Sequence, residues 1–276
     1  MKKESCKTLK RSLLSVLVTS ALCTPHAMAA FTPSVPNGET VTGEVVENGT
    51  QTIQAGGEAD HTTINRNGVQ HVYGTASNTT INNGQQTVYK GSTASDTTIN
   101  SGSQYVYGTA SDTIINDDGK QFVFKGSTAN DTTINNGGWQ IVESEGTASV
   151  TAINNGGYQR VYGIALDTTI NDGGWQLVYG GGTASDTIIN DGGLMMTVGT
   201  DSDTTVQAGG RYILGKYTFT PDDPDADWTY ADTATAQNLT VTGGTAQVSA
   251  GTLTGAVVSA AGQLMLTPEN DGDKKT

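Results

Sequence analysis

Residue types that carry hydrolytic chemistry are scarce in this chain. Beyond residue 29 it holds two histidines, His61 and His71, and no cysteine. It has no G-x-S-x-G nucleophile turn and no serine-protease GDSGS. Acids are plentiful, but most recur at the same place in a repeated pattern. A carboxylate present in every repeat is more readily a turn residue than a catalyst, because an active site needs one unique constellation. The clearest repeats follow their double glycine with x-Q, as in Gly137-Gly138-Trp139-Gln140, where calcium-binding nonapeptide repeats have G-x-D. The stretch 221–228, PDDPDADW, has acidic spacing suggestive of calcium, yet Trp228 stands where a calcium loop needs glycine, so a solvated acidic loop is expected. Binding without catalysis, cofactor or metal is therefore the expectation.

The elements that position these residues are repeats. Aligned on the isoleucine of TTIN or TIIN, they fall at Ile64, Ile81, Ile99, Ile115, Ile134, Ile153, Ile170 and Ile189, followed by Val206. Aligned on glutamine, they fall at Gln51, Gln70, Gln86, Gln104, Gln121, Gln140, Gln159 and Gln176, with Met195 in the next slot. Isoleucine to glutamine is always 5 or 6 residues, whereas glutamine to isoleucine is 11 or 13. The two extra residues sit where VYGTAS (72–77) becomes VYKGSTAS (88–95). One corner of each unit is fixed and another accepts insertions, as in a coil whose turns stack while a surface loop varies.

Two short strand signals stand out in each unit. In GGWQIV, Gln140 and Val142 share one face; in NDTTIN, Thr132 and Ile134 share a face while Asp131, Thr133 and Asn135 face away. The apolar members must point inward and carry Gln and Thr with them. A buried glutamine is tolerable only with its amide paired, and one per rung permits pairing at the strand spacing of about 4.8 Å. Asn-Gly and Gly-Gly pairs supply positive-φ turns. With 36 Gly and 15% charged residues, the composition suits turns and strands rather than helices. The expected fold is all-β, a right-handed parallel β-helix of about 9 to 12 rungs. The residue after the inward valine is Tyr73, Tyr89, Tyr107, Phe124, Glu143, Tyr162 and Tyr179, an outward aromatic ladder interrupted once. Such a stripe either stiffens an exposed sheet face or binds sugars or a partner.

The first 29 residues read as a secretory signal: Lys2, Lys3, Lys7, Lys10 and Arg11, the apolar run 13–22, then Ala27-Met28-Ala29 before Ala30, with cleavage between Ala29 and Ala30. The run is short of the roughly 20 apolar residues of a membrane span. Cys6 and Cys23 fall within the 29-residue signal, so no disulfide is expected in the mature fold. Removing it leaves 9 basic and 26 acidic residues, a net charge of −17, which repels nucleic acid and anionic membranes. The expected division is then a cap at 30–48, repeats at 49–214, an acidic Pro/Asp insertion at 215–235, degenerate rungs at 236–267 and a polar tail at 268–276.

With its GGxQxV, TASDTTIN and second GG, the repeat resembles the passenger domain of AIDA-type autotransporter adhesins, the group that includes antigen 43 and TibA. The resemblance runs from about Gly49 to Leu214 and more weakly from Asn238 to Leu266. It implies a Gram-negative surface protein acting in cell aggregation, adherence to host cells or their glycans, and biofilm formation. It further implies self-association through polar contacts along the sides of two antiparallel helices. The matching positions are Asp96, Thr98, Asn100, Asp112, Asp131, Thr133, Asn135, Asp186 and Asn190. Some relatives carry heptose O-linked to Ser and Thr. Family members end in an outer-membrane β-barrel, whereas 41 residues follow Thr235 here, so surface display is expected only with a separate barrel and periplasmic residence without one. A truncated remnant and a β-helical glycan-active enzyme are the alternatives.

Overall fold

The computed structural model describes residues 31–218, 229–259 and 261–267. The expected signal with its Ala29–Ala30 junction, the centre of the acidic insertion and the tail 268–276 lie outside the described residues. Of the 33 described strands, 31 join one parallel sheet wound into a solenoid of about 12 turns. This is the upper end of the expected range. Several turns have three separate strands rather than two, while in others the additional segment runs on into the TTI strand, as in Thr128–Ile134 and Thr147–Ile153. The third is the TAS segment, as in Thr75–Ser77, Thr93–Ser95 and Thr183–Ser185, which buries only its alanine and is too short to show a period-2 pattern in sequence.

In one turn the inward residues are Ala129, Thr132, Ile134, Gln140 and Val142; in the next they are Ala148, Thr151, Ile153, Gln159 and Val161, all buried. The ladders keep them in strict register, Ala129 on Ala148, Ile134 on Ile153 and Gln140 on Gln159. Each like residue therefore stacks on its counterpart one strand spacing away, and each isoleucine withdrawn from water contributes roughly 1.5–3 kcal/mol. The glutamine column pairs as its burial requires. The Nε2 of Gln140 donates to Oε1 of Gln121 at 2.8 Å, and the chain of amides runs unbroken from Gln176 down to Gln51. At its lower end Gln51 donates to Glu44 at 2.6 Å, whose carboxylate also receives the Thr32 hydroxyl. The segment expected to be a cap thus makes paired strands of its own (Thr40–Thr42, Val45–Val46) and closes the amide column with a carboxylate.

Corners explain the remaining sequence pattern. At Gly137-Gly138 only the first glycine has positive φ, +73°. Gly138 is needed for another reason, since a Cβ there would lie 2.6 Å from the Ile115 carbonyl oxygen of the turn below. The insertion-tolerant corner holds Lys90-Gly91-Ser92, with the Ser92 hydroxyl donating to the Val72 carbonyl at 2.7 Å. After Leu214 the chain leaves the coil, and Lys216–Tyr217 pairs antiparallel with Thr229–Tyr230. Stacking then resumes with Thr235–Gln237 on Thr200–Ser202.

Candidate functional site

The candidate surface is the outside of the solenoid, and its three sides differ chemically. Of the aspartates expected at outward positions of the TASDTTIN strand, Asp112 and Asp131 lie within strands Thr109–Ile115 and Thr128–Ile134, whereas Asp96 and Asp186 lie between strands. Asp96, Asp112, Asp131 and Asp186 adopt φ of 52°, 52°, 53° and 56° and are exposed. Short polar side chains tolerate this left-handed conformation best, which is why the pattern mostly places Asp or Asn there, and Asp167 and Asp203 continue the column beyond Val150, which holds the same position at 52°. A row of carboxylates at one repeated edge results.

Thr98 and Thr133 do face outward from the TTI strand, half-buried among their neighbours. Their column also contains Ile114 and Ile188, both 42% exposed, so apolar side chains interrupt a polar face. Asn100, Asn135 and Asn190 belong to a second amide column, unrecognised in the sequence although an asparagine follows the isoleucine in every unit from Asn65 to Asn190. Asn135 donates to Asn116 at 2.9 Å, Asn154 to Asn135 at 2.9 Å and Asn190 to Asn171 at 2.9 Å. Water reaches these amides, unlike the glutamines. Asn135→Ala is accordingly expected to cost under about 1 kcal/mol, checked by urea unfolding.

The GxQxV side is aromatic. Tyr73 stacks on Tyr89 at 4.2 Å, Tyr107 on Phe124 at 4.4 Å, and Tyr162 on Tyr179 at 4.2 Å, with Glu143 as the break between them. Burial against this stack raises the Tyr89 and Tyr179 hydroxyl pKa values. A neighbouring column, Trp139, Tyr158 and Trp175, fills the x of GGxQ in three consecutive repeats and was legible there. Trp139 and Tyr158 stack at 4.6 Å, and the Arg160 guanidinium lies 4.7 Å from the Trp139 ring centre. Further along, Leu177, Leu194, Met196 and Ile213 face out of the coil yet are buried. Strand Lys216–Tyr217 packs beside Leu194–Thr197 here, and Tyr217 meets Tyr179 edge-on at 5.4 Å. The described start of the insertion thus lies on the aromatic side.

Titratable clusters are few. His61 Nδ1 lies 2.7 Å from Asp60 Oδ2, while Oδ1 of the same carboxylate accepts from Ser77 and Asn78. The Asn78 bond first, then His61, hold Asp60 down at about 2. The Ser77 hydroxyl points to the carboxylate rather than to the imidazole, so the three do not form a nucleophile–base pair. Among the described residues no group of three or more His, Cys, Asp or Glu is placed to hold a metal ion.

A family profile described as "AIDA: Adhesin of bacterial autotransporter system, probable stalk" matches residues 106–157 and 161–210. Among solved structures, a TibC-catalyzed hyper-glycosylated TibA fragment is similar, with a TM-score of 0.72 and 32% sequence identity. The match covers 86% of this chain and 92% of that one.

Proposed function

The chain belongs to the AIDA-type autotransporter adhesins as a passenger domain, and from that premise we propose that it acts at the cell surface by self-association and adherence, without catalysis. One observation carries the proposal. The outward Thr, Asn and Asp positions repeat once per turn in straight columns, from the acidic corner across the TTI side. Two copies laid antiparallel along this side would meet the same chemistry at every strand spacing, so weak polar contacts of well under 1 kcal/mol each add along the length. The exposed Ile114 and Ile188 would add apolar contact within that face. Residues 1–29 would direct export, with cleavage between Ala29 and Ala30, and a barrel would display the product.

The solved relative is hyper-glycosylated, and outward serines of the TAS side here, among them Ser77, Ser95, Ser111, Ser149 and Ser185, would serve as acceptors in one column interrupted by Asn130 and Leu166. Co-expression with TibC followed by mass spectrometry of the tryptic peptides is expected to find hexose- or heptose-sized additions on this side.

For adhesion the test is display of the mature chain behind a supplied barrel, with cell settling and host-cell attachment as readouts. Settling is expected, and Thr98→Glu with Thr133→Glu together is expected to abolish it. Both positions face outward, so the far-UV circular dichroism should not change, while added negative charge repels the acidic partner. Cells that neither settle nor attach would overturn the proposal.

A further inference from the structure

Along the aromatic side Tyr73 with Tyr89, Tyr107 with Phe124, Trp139 with Tyr158 and Tyr162 with Tyr179 stack at 4.2–4.6 Å, their planes within 27° of parallel. Between Tyr158 and Trp175 the centroids separate to 5.8 Å and the planes tilt to 53°. The splayed step opens a cavity of about 400 Å³, lined by Asn155, Gly156, Gly157, Tyr158, Gly173 and Trp175. That volume lies at the lower end of the roughly 300–1,000 Å³ of small-molecule sites. Tyr158 is 8% exposed, and its enclosed hydroxyl lies within reach of the Arg160 guanidinium. Trp175 remains partly open to solvent. The Asn155 side chain lies along the glycine corner, and a Cβ on Gly173 would come within 2.8 Å of its Nδ2. The opposite wall is glycine backbone.

We propose that this cleft binds one neutral pyranose unit of a saccharide, a ligand site on the aromatic side of the solenoid, separate from the polar face invoked for self-association. The inference deepens the adhesin reading and rests on it. Three features select the ligand class. An indole offers a flat apolar surface to the C–H face of a sugar ring, as it does to other flat or partly positive groups. The asparagine amide and peptide groups at the rim suit hydroxyls, which need donors and acceptors together. The strong negative charge of the chain as a whole disfavours an acidic sugar, against the local pull of Arg160, whose guanidinium lies 5.5 Å from the Tyr158 ring centre. A purely apolar ligand would leave the rim's polar groups unpaired, which costs about 1–3 kcal/mol each.

The substitution to test is Trp175→Ala, since Trp175 is half-open and truncating it leaves the inward Gln176 and Val178 in place. Trp139→Phe is the control, because Trp139 stacks on Tyr158 but does not line the cavity. With ¹⁵N-labelled mature chain, glucose, galactose and N-acetylglucosamine, and short oligomers of each, would be titrated while following the indole N–H signals. At least one sugar is expected to shift the Trp175 indole in a saturable manner. Trp175→Ala should weaken that sugar at least about tenfold, read from backbone signals of Gly156 and Gly157, while Trp139→Phe should retain it. If no sugar perturbs Trp175, or if Trp175→Ala binds as well as the parent, the site is refuted. Displayed on cells, Trp175→Ala should still settle. For the parent chain, settling without binding any of the sugars would sink the cleft and leave self-association standing, whereas loss of both would sink both.

Discussion

Gln121→Leu is expected to destabilise the solenoid by about 3 kcal/mol, although it replaces a polar residue in a fully buried position with an apolar one. The reason is what it leaves behind. Gln121 donates to Gln104 at 2.8 Å and to Thr113 at 3.1 Å, and its carbonyl accepts from Gln140 at 2.8 Å. Leucine orphans the Gln104 carbonyl and the Gln140 amide in a dry interior, at about 1–3 kcal/mol each, and returns only part of that through its apolar surface. The same class of change at the upper end of the column should behave differently. Gln176 donates to Gln159 at 2.7 Å, but its own Oε1 has no partner among the described residues, because Met195 occupies the next slot. Gln176→Met exchanges one orphaned carbonyl for another and is expected to fall within about 1 kcal/mol of the parent. Urea unfolding followed at 218 nm compares the two. Hydrogen exchange at 119–123 would show Gln121→Leu opening locally, since a solenoid transmits stability mainly between neighbouring turns. Equal effects from the two substitutions would mean that the amide column is not a cooperative ladder.

The coil was legible because its core repeats. Gln and Ile recur as two separate anchors at nearly constant offset, and burial forces their register: a one-residue slip would turn Ile134 and Gln140 outward together. The glutamine column followed from the cost of a lone buried amide, and the aromatic ladder with its break at Glu143 followed from the alternation. What escaped was local in origin. The TAS strand buries one small side chain, which carries almost no pattern. The left-handed conformation of Asp96, Asp112, Asp131 and Asp186 escaped because alternation cannot distinguish an extended outward residue from one with positive φ. The asparagine column escaped because each member was taken singly as a surface polar group. The splay at Tyr158 and Trp175 is a matter of ring angles, which no spacing encodes.

The end of the amide column leads to the second large effect. At Asp201 the inward alanine of the TAS side, Ala184 below and Ala236 above, is replaced by a carboxylic acid. Its Oδ1 accepts from the Thr204 hydroxyl at 2.7 Å, and Oδ2 accepts from Tyr212, which stands in the former glutamine column, at 2.9 Å. Where glutamines stop pairing with one another, a hydroxyl–carboxylate pair satisfies the interior. Burial raises Asp201 to about 6, against the pull of those two hydrogen bonds in the other direction. With its folded pKa above the ordinary 3.8, the group binds its proton more tightly in the folded chain. Its stabilising contribution is therefore fully present below about 3.8 and is lost as pH rises through about 6. A shift of about 2 units corresponds to about 3 kcal/mol. Asp60 works in the opposite sense and in a lower window, since its stabilising contribution is lost only as pH falls from 3.8 through about 2. Among the described groups with a resolved shift, the slope between pH 4 and 7 therefore belongs to Asp201. Asp201→Asn keeps a carbonyl acceptor for one hydroxyl and removes the buried charge, so it is expected to flatten that slope and to be more stable than the parent at pH 7 by about 1–2 kcal/mol. Tyr212→Phe should do the reverse, withdrawing a donor from the carboxylate and steepening the loss of stability toward neutral pH. Urea unfolding of the three proteins at pH 4, 5, 6 and 7 separates these outcomes; parallel pH profiles for parent and Asp201→Asn would show that Asp201 does not titrate in this window.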